Sequence, residues 1–280
     1  MSQNIAQKVA QTVIQPIGSD EAKDSALIVR LASSEREVDA AQALRYRVFY
    51  ENMGAQPTAE ARNLERDFDA FDPICDHLLI IDRSAGAGAL KVVGTYRLMR
   101  AGRAQAALGF YSDSEFDLSR LRNYPGEHLE LGRSCVDPDY RSRAVLQLLW
   151  KGISDYLVAN DITLMFGCAS FPGTKLDDMA QALSMLHHNH RASDAWRPVA
   201  RSDRYVPMNL LPADRIDARR ALREIPPLIK GYLRIGGVVG DGAVIDPEFN
   251  TVDVCLLVES HLVPGRYVRH YTNATLEHYA

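Results

Sequence analysis

A short apolar segment that carries charged side chains, residues 128–141, constrains this chain more than any other part of it. The segment reads His-Leu-Glu-Leu-Gly-Arg-Ser-Cys-Val-Asp-Pro-Asp-Tyr-Arg and is followed by an amphipathic helical pattern. We expect a strand that ends at the proline turn. Charged side chains are seldom buried unless they are paired or functional. Glu130 and Arg133 are therefore either an ion pair that closes a sheet or a catalytic base with its orienting partner.

The composition is that of an ordinary soluble globular protein. The 280 residues are 46% hydrophobic and 24% charged, with a formal net charge of −4. Whole-molecule nucleic-acid binders are usually basic, so we expect no nucleic-acid partner. No apolar run approaches the roughly 20 residues that span a bilayer, and residues 1–25 lack the pattern of a secretory signal. We predict a cytoplasmic protein with a mobile leader at 1–25, and a peripheral contact with the inner membrane stays open.

The cysteines and histidines show no metal-binding pattern. The four cysteines are far apart and form no C-x-x-C pair, which argues against a zinc knuckle. In a reducing compartment they are most simply small buried residues. His187, His188 and His190 lie at a polar helix end without a cysteine or aspartate at ligand spacing, and we interpret them as surface residues. The sequence therefore predicts no metal site.

Hydrophobic periodicity predicts a mixed central sheet with helices on both faces, an α/β (α+β) fold. Strands are expected at 26–32, 77–82, 91–99, 128–136, 163–170, 233–239 and 251–258. Helices are expected at 34–51, 116–122, 145–160, 177–190 and 213–223. Ser34 and Glu37 have the spacing of a capping box at the start of the first helix. We predict one domain over 26–260, with an Arg-rich insertion at 191–225 and a C-terminal tail at 261–280.

Several sequence blocks, in a specific order and spacing, resemble the GCN5-related N-acyltransferase (GNAT) superfamily. Within it, the chain is similar to the ornithine lipid synthase acyltransferases, which are kin to the acyl-homoserine-lactone synthases. The match covers about residues 26–260. The blocks are 44–51 (Leu-Arg-Tyr-Arg-Val-Phe-Tyr-Glu), 67–72, 75–79, 93–98, 130–136 (Glu-Leu-Gly-Arg-Ser-Cys-Val) and 225–233.

The resemblance implies a GNAT-like fold and an acyl transfer. In such relatives the donor is a fatty acyl group on acyl carrier protein, and the acceptor is the α-amine of an amino acid or an amino-acid-like cofactor. Glu130 would be the base, and Arg133 would be its structural or substrate-binding partner. Other residues of the blocks would bind substrate: Arg45, Phe49, Asp69, Asp72, Arg97 and Ser134.

Amide formation from a thioester needs a base for the amine proton and N–H donors for the oxyanion. Glu130 stands between two leucines, where burial would raise its pKa. On a regular strand it would not meet Arg133, because residues three apart point to opposite faces. Glycine within a strand often marks a bulge, so we predict a bulge at Gly132. The backbone N–H groups that it frees near Cys135 and Val136 are our candidates for the oxyanion site.

The loop at 139–144 contains no glycine. Superfamily members that use coenzyme A carry a Gly-rich turn here, whose N–H groups hold the pyrophosphate at a helix N-terminus. Arg141 and Arg143 suit the single phosphodiester of a phosphopantetheine arm. This favours acyl carrier protein over free coenzyme A as the donor. Two solvated arginines at a helix start are the alternative.

Residues 197–234 carry a local excess of basic side chains in an acidic chain. Acyl carrier protein is acidic, so its docking site should be basic. We assign four residues to that site or to the phosphopantetheine arm: Arg219, Arg220, Arg223 and Lys230. A solvated helix face is an equally simple explanation, and the same patch would also suit anionic lipid headgroups.

An acidic cluster lies at 65–72, with carboxylates at Glu65, Asp67, Asp69 and Asp72. If the acceptor is ornithine, its side-chain ammonium needs a carboxylate partner, and this cluster is the candidate. Loop solubility and helix capping are the alternative roles for these residues.

The resemblance thus predicts transfer of a 3-hydroxy fatty acyl group from 3-hydroxyacyl-[acyl carrier protein] to the α-amine of L-ornithine. The product would be lyso-ornithine lipid, and no bound cofactor is expected. A relative that acylates glycine or glutamine is the nearest alternative, and an acyl-homoserine-lactone synthase is less favoured. A non-catalytic acyl-carrier or lipid-binding module is the alternative from another class.

Overall fold

Ten strands form one sheet in the residues that the computed structural model describes, 26–85 and 90–263. They are β1 Leu27–Leu31, β2 Asp76–Asp82, β3 Val92–Arg100, β4 Phe116–Asp117, β5 Glu127–Val136, β6 Ile162–Pro172, β7 Val199–Ala200, β8 Tyr205–Val206, β9 Val238–Asp246 and β10 Thr251–Glu259. The predicted leader at 1–25 and the tail beyond residue 263 lie outside the described residues.

The sheet is mixed, as the sequence predicts. Its strand order is β1-β2-β3-β5-β6-β10-β9-β7-β4, and β8 pairs with β9. Pairing is antiparallel except between β5 and β6 and between β7 and β9. A parallel pair needs a crossover connection, and a helix of 17 residues supplies it between β5 and β6. The 191–225 segment extends the same sheet through β7 and β8.

Helices cover both faces of the sheet, which confirms the predicted fold class. They are α1 Glu35–Tyr46, α2 Ala59–Leu64, α3 Ala101–Ala106, α4 Arg143–Ala159, α5 Ala180–Asn189, α6 Ala218–Glu224 and α7 Pro227–Leu233. Successive residues of β2 point to opposite faces. Leu79 and Ile81 pack with α1, whereas Leu78 and Ile80 belong to the cluster that contains α4. None of the helices in this part of the chain is long and apolar enough to cross a bilayer.

Two predicted elements are wrong. Residues 116–122 do not form one helix: Phe116–Asp117 is strand β4, and a 3-10 turn covers Leu121–Asn123. The Asp117 carboxylate accepts the Ser119 backbone N–H, which turns the chain between them. The strand expected at 233–239 starts only at Val238, because α7 occupies the first position and Gly236 then adopts a φ of 90°.

The first helix begins as expected, but its capping box does not form. Ser34 occupies the N-cap position without a side-chain cap hydrogen bond. The Glu37 carboxylate instead accepts the backbone N–H of Ser33 at 2.7 Å and pairs with Arg30. The end of the first helix also differs, since residues 47–52 widen into a π-helix. Such a segment changes the direction in which the following side chains point.

Strand β5 contains the predicted bulge, displaced by one residue. Arg97 pairs with Gly132 and Thr95 pairs with Cys135, so Arg133 and Ser134 together face one residue of β3. Arg133 has a φ of 48°, a left-handed conformation that is uncommon outside glycine. The bulge brings Glu130 and Arg133 to the same cavity, although they are three residues apart.

Candidate active site

A cavity of about 270 Å³ opens where β5 and β6 separate. The two strands are in register only from Glu127 to Glu130 of β5. Beyond that point, residues 131–134 of β5 and 168–170 of β6 line the cavity. Leu228 of α7 and Phe249 of the β9–β10 turn also line it.

A narrower apolar slot of about 50 Å³ continues between the same two strands. Its walls include Tyr96, Met165, Tyr232 and Leu256. A β-carbon at Gly167 would lie 2.2 Å from the carbonyl oxygen of Leu131, so only glycine permits this approach of the two strands. The slot and the cavity are adjacent and share lining residues, among them Leu131, Arg133 and Leu228.

Glu130 is buried at the edge of this cavity, with its carboxylate held by backbone amides. Tyr111 donates its N–H to one oxygen at 2.8 Å, and Ser112 donates to the other at 2.7 Å. Both amides belong to a 3-10 turn, Tyr111–Ser114. Burial raises the pKa of Glu130, although the hydrogen bonds from Ser112 and Tyr111 oppose the rise. A buried carboxylate with a raised pKa on a cavity wall is suited to accept a proton.

Arg133 does not pair with Glu130, so the predicted partnership is wrong. Its Nε lies 3.3 Å from Asp67, and its Nη2 lies 3.2 Å from Asp69. The guanidinium also lies over the rings of Tyr111 and Phe249, at 4.8 and 4.9 Å from their centroids. The bulge turns Arg133 towards these aspartates. The Glu130 carboxylate, which was expected to pair with Arg133, is held by the backbone amides of the 3-10 turn instead.

The acidic residues at 67–72 are neutralised by three arginines. Asp72 accepts both Nη atoms of Arg45, at 2.9 and 2.8 Å. Asp69 accepts Arg97 at 2.6 Å, and Asp67 lies 2.7 Å from Nε of Arg45. Burial alone would raise the pKa of Asp72, but hydrogen bonds and charge from Arg45 hold that pKa well below its usual range.

The three arginines balance the three aspartates, which leaves no excess negative charge for a substrate ammonium. The expected amine contacts at Asp69 and Asp72 already have arginine partners, and both residues line a separate open pocket. Neither residue lines the cavity, and Arg45 does not line it either. The cluster instead supports Arg97 and Arg133, which do reach the cavity, and Phe49 and Ser134 line it with them.

The backbone groups freed by the bulge lie at different residues from those expected. Cys135 and Val136 are in register with Thr95 and Gly94, and neither lines the cavity. The two residues in the bulge, Arg133 and Ser134, do line it. Burial raises the pKa of the Cys135 thiol to about 12, so this side chain is a neutral core group near neutral pH.

The basic residues expected to bind the acyl carrier are at the surface. Arg141 and Arg143 are exposed at the start of α4, directly after β5 ends. On α6 the three arginines at 219, 220 and 223 are exposed, and Arg220 pairs with Glu224 at 2.8 Å. Lys230 is half-buried on α7, the helix that also contributes Leu228 to the cavity.

A second acidic group, which we call the acidic triad, was not predicted from the sequence. It consists of Glu115, Asp246 and Asp253, whose oxygens lie within 4.8 Å of one another. Burial and the neighbouring Asp253 raise the pKa of Glu115, and burial raises that of Asp253. Asp246 and Asp253 line the cavity. Among the described residues, this is the one group of carboxylate, histidine or cysteine side chains spaced to hold a cation.

Comparison with known proteins gives a family match and close relatives. Residues 44–151 match the acetyltransferase (GNAT) domain family. The chain is 49% identical over 248 residues to an L-ornithine N(alpha)-acyltransferase of Agrobacterium fabrum, covering 88% of this chain and 85% of the relative. A protein of the same name from Rhizobium meliloti is also 49% identical, over 88% of this chain and 84% of the relative.

Solved structures are more distant. The CoA-dependent acyl-homoserine lactone synthase BjaI is 13% identical, with a TM-score of 0.49 over 86% of this chain and 89% of that one. The acyl-homoserine lactone synthase LasI is 14% identical, with a TM-score of 0.45 over 84% of this chain and 90% of that one.

Proposed function

The chain belongs to the L-ornithine N(alpha)-acyltransferase family of GNAT enzymes, and we propose that it transfers a 3-hydroxy fatty acyl group from acyl carrier protein to ornithine. The acceptor atom is the α-amine, and the product is lyso-ornithine lipid. The observation that carries the proposal is a buried carboxylate, Glu130, on the wall of a cavity that lies beside an apolar slot. Relatives at 49% identity support the acceptor.

Glu130 acts as the general base. The α-amine of an amino acid is an ammonium near neutral pH, and it attacks a thioester only after losing a proton. The proton moves to Glu130, whose raised pKa makes the transfer less unfavourable. The two backbone N–H groups fix the carboxylate, so its position does not depend on a flexible partner.

The bulge supplies the candidate oxyanion donors. Attack of the amine on the thioester carbonyl forms the C–N bond and places negative charge on the carbonyl oxygen, which backbone N–H groups stabilise best. We assign this role to the amides of Arg133 and Ser134, because both residues line the cavity at the bulge. The attacking nitrogen gives up its second proton, and collapse of the intermediate breaks the C–S bond, so that the sulfur of the phosphopantetheine arm leaves as the thiol with that proton. The proton held by Glu130 passes to solvent, which restores the base.

The assignment of acyl carrier protein as the acyl donor rests on the positive charge of nearby side chains and on the absence of glycine from the loop at 139–144. Arg141 and Arg143 lie at the end of β5, next to the point where the arm would enter between β5 and β6. Exposed arginines on α6 offer an acidic carrier a basic docking surface. The same surface would allow a peripheral contact with anionic lipid, at the cytoplasmic face of the inner membrane, where the product must be released.

The proposal is tested with the purified full chain and mass spectrometry of its products. The chain is supplied with L-ornithine and either 3-hydroxyacyl-[acyl carrier protein] or the matching 3-hydroxyacyl-CoA. We expect Nα-(3-hydroxyacyl)-ornithine with the carrier protein and at least tenfold less with the CoA thioester. Equal rates would refute the donor assignment, and acylation of glycine or glutamine in preference to ornithine would refute the acceptor. No acylation of any amino acid by the folded chain would indicate a binding module.

A further inference from the structure

We propose that the acidic triad of Glu115, Asp246 and Asp253 binds the side-chain ammonium of the amino-acid acceptor and selects ornithine. The inference rests on the proposed function and adds the residues that recognise the end of the substrate remote from the reaction. The cluster at 67–72, which the sequence had suggested for this role, already has three arginine partners.

Strand register places two members of the triad, Asp246 and Asp253, and their neighbours on one face of the sheet. Thr251 and Asp253 are two residues apart on β10 and therefore point the same way. Thr251 is directly opposite Asp246 of β9, and Asp253 is directly opposite Ser170 of β6. All four residues line the cavity that contains Glu130. These four residues are held by three strands, whereas Glu115, which does not line the cavity, reaches the triad from the end of the 3-10 turn Tyr111–Ser114.

Two polar atoms at this site have no partner. Oδ1 of Asp253 and Oγ1 of Thr251 are buried, and neither makes a hydrogen bond in the described residues. Asp253 is only 5% exposed. A buried carboxylate oxygen without a donor is costly, and native proteins rarely keep one that has no ligand. The side chains of Ser170 and Thr251 lower the pKa of the Asp253 carboxyl from close by, and Oδ1 of Asp253 is the acceptor on the cavity wall that still lacks a donor.

The missing group carries positive charge. Within the described residues, no lysine, arginine or histidine forms an ion pair with any member of the triad. The positive charge of Arg204 lowers the pKa of Glu115. Its guanidinium donates its hydrogen bonds to the backbone carbonyls of Ser114 and Ile245 instead of to the triad. An ammonium presents three N–H donors and one positive charge, which suits several carboxylate oxygens and a hydroxyl.

The triad is also connected to the proposed base. The Ser112 N–H donates to Glu130, the Ser112 hydroxyl contacts the Cys168 thiol at 3.3 Å, and that thiol contacts Glu115 at 3.3 Å. The two carboxylate sites are therefore linked through the side chains of Ser112 and Cys168. Arg97 and Arg133 line the same cavity, each already paired with Asp67 or Asp69.

The test compares binding of L-ornithine with binding of L-norleucine, which has a methyl group where ornithine has the ammonium. Titration calorimetry uses the full chain and the variants Asp253→Asn and Glu115→Gln, with chelator present. We expect the wild type to prefer ornithine and each variant to lose about 10- to 100-fold in ornithine affinity, with norleucine binding unchanged. Asp241→Asn is the matched control, because Asp241 is on β9 and lies outside the cavity.

Each outcome separates the inference from the proposed function. If the variants bind ornithine as the wild type does while the wild type acylates it, the triad assignment is overturned and the function stands. If the wild type binds neither amino acid, both are overturned. If ornithine binding requires added Mg²⁺ or Ca²⁺ and fails with chelator, the triad is a metal site and the ammonium assignment is overturned. Because two variants are measured, a folding defect in one of them does not decide the result.

Discussion

Replacement of Glu130 by glutamine tests the mechanism most directly. The carboxylate accepts one N–H on each oxygen, whereas glutamine has a single acceptor oxygen and turns its own NH₂ group towards the second amide. One unmet hydrogen bond costs about 1–3 kcal/mol, and the removal of a buried charge offsets part of that. We therefore expect a folded variant whose melting temperature changes by only a few degrees.

Activity should fall much further than stability. A positioned general base contributes about 10²–10⁴-fold, which is roughly 3–5 kcal/mol in the activation barrier. Steady-state release of free carrier-protein thiol measures kcat for the wild type, for Glu130→Gln and for the control Glu127→Gln on the same strand. The wild-type rate should level off once pH exceeds the raised pKa of Glu130, whereas the variant should keep rising as the amine loses its proton to water. A variant within tenfold of the wild type would refute the assignment.

Three further predictions concern other parts of the molecule. Arg45→Met removes the shortest ion pair of two buried carboxylates, Asp67 and Asp72, and should destabilise the fold by about 3 kcal/mol in urea unfolding. Arg66→Met, at an exposed pair, should cost about 1 kcal/mol or less. Gly167→Ala should raise KM for the acyl donor at least tenfold and leave ornithine binding intact, and an unchanged KM would contradict the assignment of the slot. Burial and the neighbouring carboxylates raise the pKa of both Glu115 and Asp253, so the native state holds protons that the unfolded chain has lost. Stability should therefore decrease between about pH 5 and pH 8, and Glu115→Gln should flatten the decrease in thermal melts.

Long periodic elements were predictable from the sequence, and short ones were not. The apolar spacing along 145–160 identifies α4, and the alternation in 77–82 and 91–99 identifies β2 and β3. The helix expected at 116–122 does not form, because Phe116 is buried from a two-residue strand and Leu121 is buried from a 3-10 turn. The helix at 227–233 had a readable signal that was overlooked, a proline at its first position.

The candidate site was predictable only where one strand carries it. The bulge and the buried carboxylate both lie within 128–136, so local spacing pointed to them. The amides that hold Glu130 come from a turn some 18 residues earlier in the chain. Almost every residue type has a backbone N–H, so the sequence does not show which N–H groups will bind a carboxylate. The acidic triad joins residues 115, 246 and 253, which become neighbours only through strand register. Ionic partners likewise depend on the fold, which is why Arg133 was assigned to Glu130 and not to Asp67 and Asp69.

The two backbone hydrogen bonds to Glu130 affect which sequence changes the enzyme can accept. Main-chain N–H groups are present whichever side chain occupies positions 111 and 112, with proline as the exception. Mutation at Ser112 can therefore alter the surroundings of the cavity without displacing the carboxylate. The remote end of the acceptor site is held by side chains, which single substitutions replace outright. A lineage built on this scaffold can change the amino acid that it acylates while the proton-accepting group keeps its place.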